Sequence, residues 1–220
     1  MDTPLLNVQP GVDSSLPRSF STDISFASLA KSLHPISAGA VEYITQKSFT
    51  TFVRKGELLV TAGEGSPNVY LIKKGIMRSY VREGIKDITT WIAGENEFVS
   101  AITCLGLTQD AKENIQALED CELSGIRYDD LLYLYDHYPE TAAVGRKILE
   151  KYVRDAEERA FIARLTEATA KYKRFVVTKV DLLNRVPLKF IASYLGMTLE
   201  TLSRIRSKLS RTANGNGVPA

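Results

Sequence analysis

Near the end of the chain Glu200, Ser203, Arg204, Ser207 and Arg211 recur at three- and four-residue intervals. A helix advancing about 100° per residue brings them onto one face. There, carboxylate, hydroxyl and guanidinium groups form a row of donors and acceptors suited to base edges in a DNA groove. Leu202, Ile205 and Leu209 gather on the opposite face. Taken singly, Glu200 would serve as well as a charge at the positive end of a helix dipole, and Arg204 as a solvated charge. The joint pattern is what points to a reading face. Glu200, Ser203, Arg204 and Ser207 are the candidates for base contact; Thr198, Lys189, Lys208 and Arg211 are the candidates for phosphate contact.

No comparable constellation suggests catalysis. Cys104 and Cys121 have neither a disulfide framework nor zinc-site spacing, and His34 and His137 lie far apart, so no metal or cofactor is expected and the cysteines read as buried structural thiols. There is no nucleophile elbow and no phosphate-binding Gly-Lys loop, and an enzyme is not expected.

The reading face needs elements to hold it. Pro187 suits the first position of a helix, with Phe190, Ile191 and Leu195 as its apolar stripe and Ala192 small enough for a close crossing. Gly196 can take the left-handed conformation of a sharp turn, and Thr198 is placed to cap a second helix. The pair reads as a helix-turn-helix. Charge agrees: residues 171 to 220 hold ten basic side chains against Asp181 and Glu200, a balance of +8 where the whole chain carries +2, leaving −6 for residues 1 to 170. Such segregation points to a polyanion-binding module on a mildly acidic body.

With 220 residues and 44% apolar content the chain can build a core without staples. Its polar start, Pro- and Ser-containing through Ser19, reads as a disordered arm, and the absence of any run of about 18 apolar residues predicts no membrane span and a cytoplasmic protein. From Phe49 to Arg127 short β-rich segments alternate with glycine breaks: Phe49 to Val53, Leu58 to Thr61, Val69 to Ile72, Met77 to Val81, Ile85 to Ile92, Ile115 to Leu118 and Cys121 to Ile126. Ile85, Ile88 and Trp91 are expected to half-bury the fifth of these. About eight such strands predict a roll or barrel. From Pro139 to about Leu165 the period becomes helical, and Val144, Ile148, Tyr152 and Ala156 form a narrow stripe flanked by both charge signs, expected as a two-stranded coiled-coil seam.

Lys55-Gly-Glu57, Gly63-Glu64, Val69-Tyr-Leu-Ile-Lys-Lys-Gly75, Asn96-Glu-Phe98 and Leu202-Ser-Arg-Ile205, in that order and spacing, make residues 22 to 211 resemble the Crp/Fnr family of bacterial transcription regulators. The resemblance implies an α+β chain: an N-terminal double-stranded β-roll of the cyclic-nucleotide-binding, jelly-roll kind, a long dimerisation helix and a C-terminal helix-turn-helix. The expected divisions are an arm at 1–20, the roll at 21–135, the dimer helix at 136–166, the DNA-binding unit at 167–211 and a flexible tail at 212–220. In the family a Glu and an Arg of the recognition helix contact bases, and these fall on Glu200 and Arg204; the position before the Glu is Leu199 here.

Two departures qualify the resemblance. Cyclic-AMP-binding relatives place a Glu after Phe-x-Gly and an Arg-Ser or Arg-Thr pair some ten residues on. Here the segment reads Phe98-Val-Ser-Ala-Ile-Thr-Cys104, then Gln109-Asp-Ala-Lys-Glu-Asn114, with Ala111 or Lys112 where the arginine should be. Lysine lacks the planar fork, and Asp110 and Glu113 beside it repel an anion. Ser100, Thr103, Lys112 and Asn114 are therefore candidates for a pocket whose small effector is unknown, and cyclic AMP is not expected in the usual mode. After the recognition helix, the residues from Thr212 on are too polar and glycine-rich for a β-hairpin wing. Phosphates would then fall to Lys189, Lys208, Arg211 and the cluster from Lys171 to Arg174. The expected partners are double-stranded DNA with a palindromic operator, a second copy of the chain, RNA polymerase and the unknown effector. The alternative is an effector-binding module with vestigial DNA binding.

Overall fold

The computed structural model describes residues 24–107 and 109–215, so the N-terminal arm and the last five residues lie outside the described part. Strands form where apolar and polar residues alternate between turns, and they assemble into two four-stranded antiparallel sheets. The first has the order β1 (Phe49–Val53), β8 (Cys121–Arg127), β3 (Asn68–Lys74), β6 (Phe98–Val99). The second has the order β2 (Leu58–Val60), β7 (Asn114–Ala117), β4 (Met77–Glu83), β5 (Lys86–Ala93). Val53, Val60, Ile72, Met77, Val99, Ile115 and Leu123 fill the space between them. This is the expected β-roll, with the two-residue β6 too short to show in the sequence pattern.

The fifth segment differs from expectation. β4 and β5 pair from Glu83↔Lys86 inward, so Ile85 sits at the hairpin tip, fully exposed. The register shifts between Ser79 and Tyr80, so that Ser79 pairs Trp91 while Tyr80 pairs Thr89. Thr89 is therefore buried, and Ile88 faces out.

Two helices precede the roll that the sequence pattern did not suggest, α1 (Phe26–Leu33) and α2 (Ala38–Lys47). A capping box starts the first: Ser25 Oγ accepts from the Ser28 amide at 3.1 Å, and Ser28 Oγ accepts from the Ser25 amide at 2.8 Å. After the roll come α3 (Tyr128–His137), α4 (Glu140–Arg164), α5 (Ala168–Thr178), a 3₁₀ turn (Val180–Leu182), α6 (Leu188–Tyr194) and α7 (Leu199–Gly215). The last helix continues four residues past Arg211, into the segment read as a tail.

Among the described residues no helix is long and apolar enough to cross a membrane. The outer face of the second sheet is not open to water. Ile76, Ile92 and Leu118 share one cluster with Phe175, Leu182, Val186, Ile191, Leu195 and Leu202 of the C-terminal helices.

Gly75 turns the chain between β3 and β4 at φ 100°, a conformation side chains rarely adopt. A Cβ there would lie 2.6 Å from Cys121 Sγ and 2.9 Å from the Asp120 carbonyl oxygen. Gly75→Ala should therefore cost about 2–4 kcal/mol, backbone strain and overpacking together, and appear as a lower urea midpoint.

Candidate nucleic-acid interface

Helix α6 ends by a Schellman motif. Gly196 takes φ 64°, its amide donates to the Ser193 carbonyl at 3.1 Å, and the Met197 amide donates to the Ala192 carbonyl at 3.0 Å. Two residues on, Thr198 Oγ1 accepts from the Thr201 amide at 3.2 Å and starts α7. Pro187 falls one position before its expected place, extended and capping α6. Ala192 is buried at the crossing, and Leu202 and Ile205 are buried with Leu209 packed beside them.

That packing turns Glu200, Ser203, Arg204, Ser207, Lys208 and Arg211 outward, where with Leu199 they line one shallow, open surface. Glu200 has its carboxyl held below the ordinary carboxylate range by its own backbone amide and the Thr198 hydroxyl, with Arg204 one turn on adding to the effect. Lys189 is exposed on α6, its Nζ 4.8 Å from the centre of the Phe190 ring.

Four of the ten basic side chains counted toward a polyanion are bonded within the chain. Arg174 holds Glu158 of α4 through two bonds, Nε to Oε1 at 2.5 Å and Nη2 to Oε2 at 2.8 Å, which removes it from the expected phosphate cluster. Lys171 Nζ donates to the Leu195 carbonyl at 3.4 Å. Lys179 pairs with Glu97, and Arg185 with both Glu95 and Glu119. The hydrogen bonds it donates to those two carboxylates raise the Arg185 guanidinium above its ordinary value. The sequence reading missed Glu95, Glu97 and Glu119. The signal was there in the acidic balance of the body, but it was assigned to no particular partner.

The stripe expected as a seam is covered by its own chain. Val144 is buried and Ile148 packs beside it in a cluster with Leu29 of α1, Ile44 of α2, Leu71 and Leu134. Tyr152 donates its hydroxyl to the Phe98 carbonyl at 2.5 Å. The unforeseen α1 and α2 are the reason, since they and the roll occupy that side of α4. Only Ala156 of the four faces out, in line with Leu149 (65% exposed), Val153 (58% exposed) and Ala160. These four keep the 4-3-4 spacing of a coiled-coil face.

Three of the four candidate pocket side chains are bonded to the chain's own backbone. Ser100 Oγ donates to the Asn68 carbonyl at 3.1 Å, Thr103 Oγ1 accepts from the Lys112 amide at 3.2 Å, and Asn114 Oδ1 accepts from the Ala62 amide at 3.0 Å. The Lys112 residue is exposed. Inside, Ala101, Cys104 and Ala111 pack as core, and buried Ser79 donates its hydroxyl to Glu113.

Residues 50–138 match the cyclic nucleotide-binding domain family. The fumarate and nitrate reduction regulatory protein of Yersinia pestis is 27% identical over 183 residues, covering 73% of this chain and 68% of that one. The anaerobic regulatory protein of Haemophilus influenzae is 26% identical over 182 residues, covering 72% and 66%. Among solved structures, a CooA mutant from Carboxydothermus hydrogenoformans aligns with a TM-score of 0.64 at 18% identity, over 87% of this chain and 88% of that one. FixK2 from Bradyrhizobium japonicum aligns at 0.60 with 20% identity, over 76% and 86%. Over residues 50–138 the chain carries a cyclic nucleotide-binding domain, and these solved structures share its fold.

The Thr198 cap is local to α7. Thr198→Ala should cost about 1 kcal/mol of local stability, detected as faster amide exchange at Thr201 while amides of the roll core exchange unchanged.

Proposed function

We propose that this chain is a homodimeric, sequence-specific DNA-binding transcription regulator of the Crp/Fnr type. The observation that carries the proposal is the capped α7 helix, whose apolar side is buried and whose donors and acceptors, Glu200, Ser203, Arg204 and Ser207, all stand exposed on one face. Arg204 would take guanine through two parallel bonds, and Glu200 would accept from cytosine N4. Lys189, Lys208 and Arg211 would hold phosphates, which position without discriminating. Two such helices related by a two-fold axis would enter successive major grooves about 34 Å apart and require a palindromic operator.

The dimer would form through the exposed line of Leu149, Val153, Ala156 and Ala160 on α4. A second copy fits it because the same self-complementary stripe on both chains can interdigitate. Cyclic AMP in the family's usual mode is disfavoured by chemistry: Glu113, bonded to buried Ser79, puts a carboxylate beside Lys112, where the phosphate-holding arginine is replaced. That leaves the roll either open to another effector or purely structural.

Selection of bound sites from random duplex DNA by the purified full chain should return a palindrome, and no enrichment at low ionic strength would overturn the proposal. On the recovered site Arg204→Ala should lose about 1–3 kcal/mol of discrimination while its binding to random DNA barely changes. Arg211→Ala should weaken both and lower the slope of log affinity against log salt by about one. Equal losses of Arg204→Ala on both DNAs would count against the base contact. Val153→Glu should yield monomers in sedimentation, whereas Tyr152→Phe, on the covered side of α4, should sediment as the parent does.

A further inference from the structure

The turn between β5 and β6 aims two carboxylates away from the roll, and its own backbone is fixed. Asn96 takes φ 67° there, its amide donates to the Ile72 carbonyl at 2.9 Å, and the Ile72 amide donates to the Glu97 carbonyl at 3.0 Å. The Gly94 amide donates to Glu97 Oε2 at 2.9 Å, and the Gly75 amide donates to Glu95 Oε1 at 2.8 Å.

From this anchored turn the Glu97 carboxylate meets Lys179 Nζ at 2.8 and 3.2 Å and Lys151 Nζ at 3.5 Å. Lys179 directly follows α5 in the C-terminal unit, and Lys151 lies on α4 between Leu149 and Val153. One side chain thus touches the roll, the helix proposed to meet a second copy, and the unit carrying α7. These groups line a cleft of about 870 Å³ between the three bodies, so side-chain ion pairs rather than close packing join them at this point. Burial alone would raise the Glu97 carboxyl, but Lys179 and Lys151 outweigh it and hold it down to about 2. With the charge on Glu97 removed, Lys151 would keep Asp155 at 2.6 Å, while Lys179 would lose the carboxylate it is bonded to, so the tie between the roll, α4 and the C-terminal unit would be released at this point.

We propose that Glu97 is a positioning residue for operator spacing: by tying Lys179 of the C-terminal unit to Lys151 of α4 it fixes where each α7 stands relative to the two-fold axis. The inference rests on the DNA-reading function proposed above. Glu97 touches none of the candidate base contacts, so it acts on the distance and angle between two α7 helices and not on what either one reads.

The test uses the full chain and the selected operator in three forms: native spacing, half-sites one or two base pairs closer or further apart, and native spacing with one base pair changed at the position assigned to Arg204. The parent protein should lose on the order of tenfold both for altered spacing and for the changed base pair. Glu97→Gln should keep the penalty for the changed base pair and lose most of the spacing penalty, and Glu97→Asp, which keeps the charge, should restore part of it. Lys151→Gln, which breaks the same link from the α4 side, should act like Glu97→Gln and serves if that variant fails to fold. An unchanged spacing penalty in these variants overturns the inference, as does an equal loss of spacing and base discrimination, the signature of a merely weakened fold. A parent protein that enriches no duplex sinks the DNA-reading proposal and this inference with it; a parent that binds while its variants keep the spacing penalty sinks only the inference.

Discussion

The outer face of the β2-β7-β4-β5 sheet has to be covered, and the C-terminal helices cover it. At the centre of that contact is Arg78 of β4, only 3% exposed, its guanidinium stacked between the rings of Tyr80 at 4.2 Å and Phe190 of α6 at 3.9 Å. A buried guanidinium is costly unless its donors are used, and here they are: Gln116 accepts at 2.9 Å, Thr89 at 3.2 Å and Asp87 at 3.3 Å. Burial depresses the Arg78 pKa, and Asp87 works against that depression. Ser193 completes the joint from the helix side, accepting from the Thr89 amide at 2.9 Å and donating to the Asp87 carbonyl at 3.1 Å. Moving α6 off the sheet would strand a charge and open an apolar core at once. The unit that presents α7 is therefore seated on the roll rather than hung from it.

This seating changes the meaning of the charge asymmetry. A basic C-terminal segment and an acidic body look from the sequence like a DNA-binding module on a solvated carrier. Part of the asymmetry is internal: Arg174, Lys179 and Arg185 face Glu158, Glu97, Glu95 and Glu119 across the joint. These pairs are partly shielded from water and are screened less than exposed ones. The positive charges that face outward, Lys189, Arg204, Lys208 and Arg211 among them, are on α6 and α7. The sign of the field at the proposed DNA face is as the sequence suggested, with a smaller number of charges behind it.

What was legible in the sequence was local. Gly196 needs a left-handed φ and Thr198 needs an amide three residues on, and both conditions are met within a few residues, so the helix-turn-helix could be read directly. The strands could be read because glycines mark their ends. The failures share one cause: the covering surface comes from distant parts of the chain. Ile85 looked like a strand residue because nothing nearby says that Gly84 and Ile85 make the hairpin tip. Helix α4 carries apolar residues on two sides, and periodicity cannot say which side its own chain covers. Only the packing of α1, α2 and the roll on Val144, Ile148 and Tyr152 leaves Leu149 and Val153 as the open side.

The two faces of the second sheet have separate duties. Its inner face packs Met77, Ile115 and Ala117 into the roll core, and its outer face presents Ile76, Arg78, Ile92 and Leu118 to the C-terminal helices. Side chains alternate across a strand, so changes on the inward positions leave the outward row undisturbed. Changes at the inward positions would alter what the interior can bind without touching the platform on which α6 rests. The platform also sets the β5–β6 turn, because Ile92 is fixed beneath the C-terminal helices a few residues before Glu95 and Glu97 emerge. A roll that holds no nucleotide would still position α7, since the joint is built from the sheet's outer surface and not from anything the pocket contains.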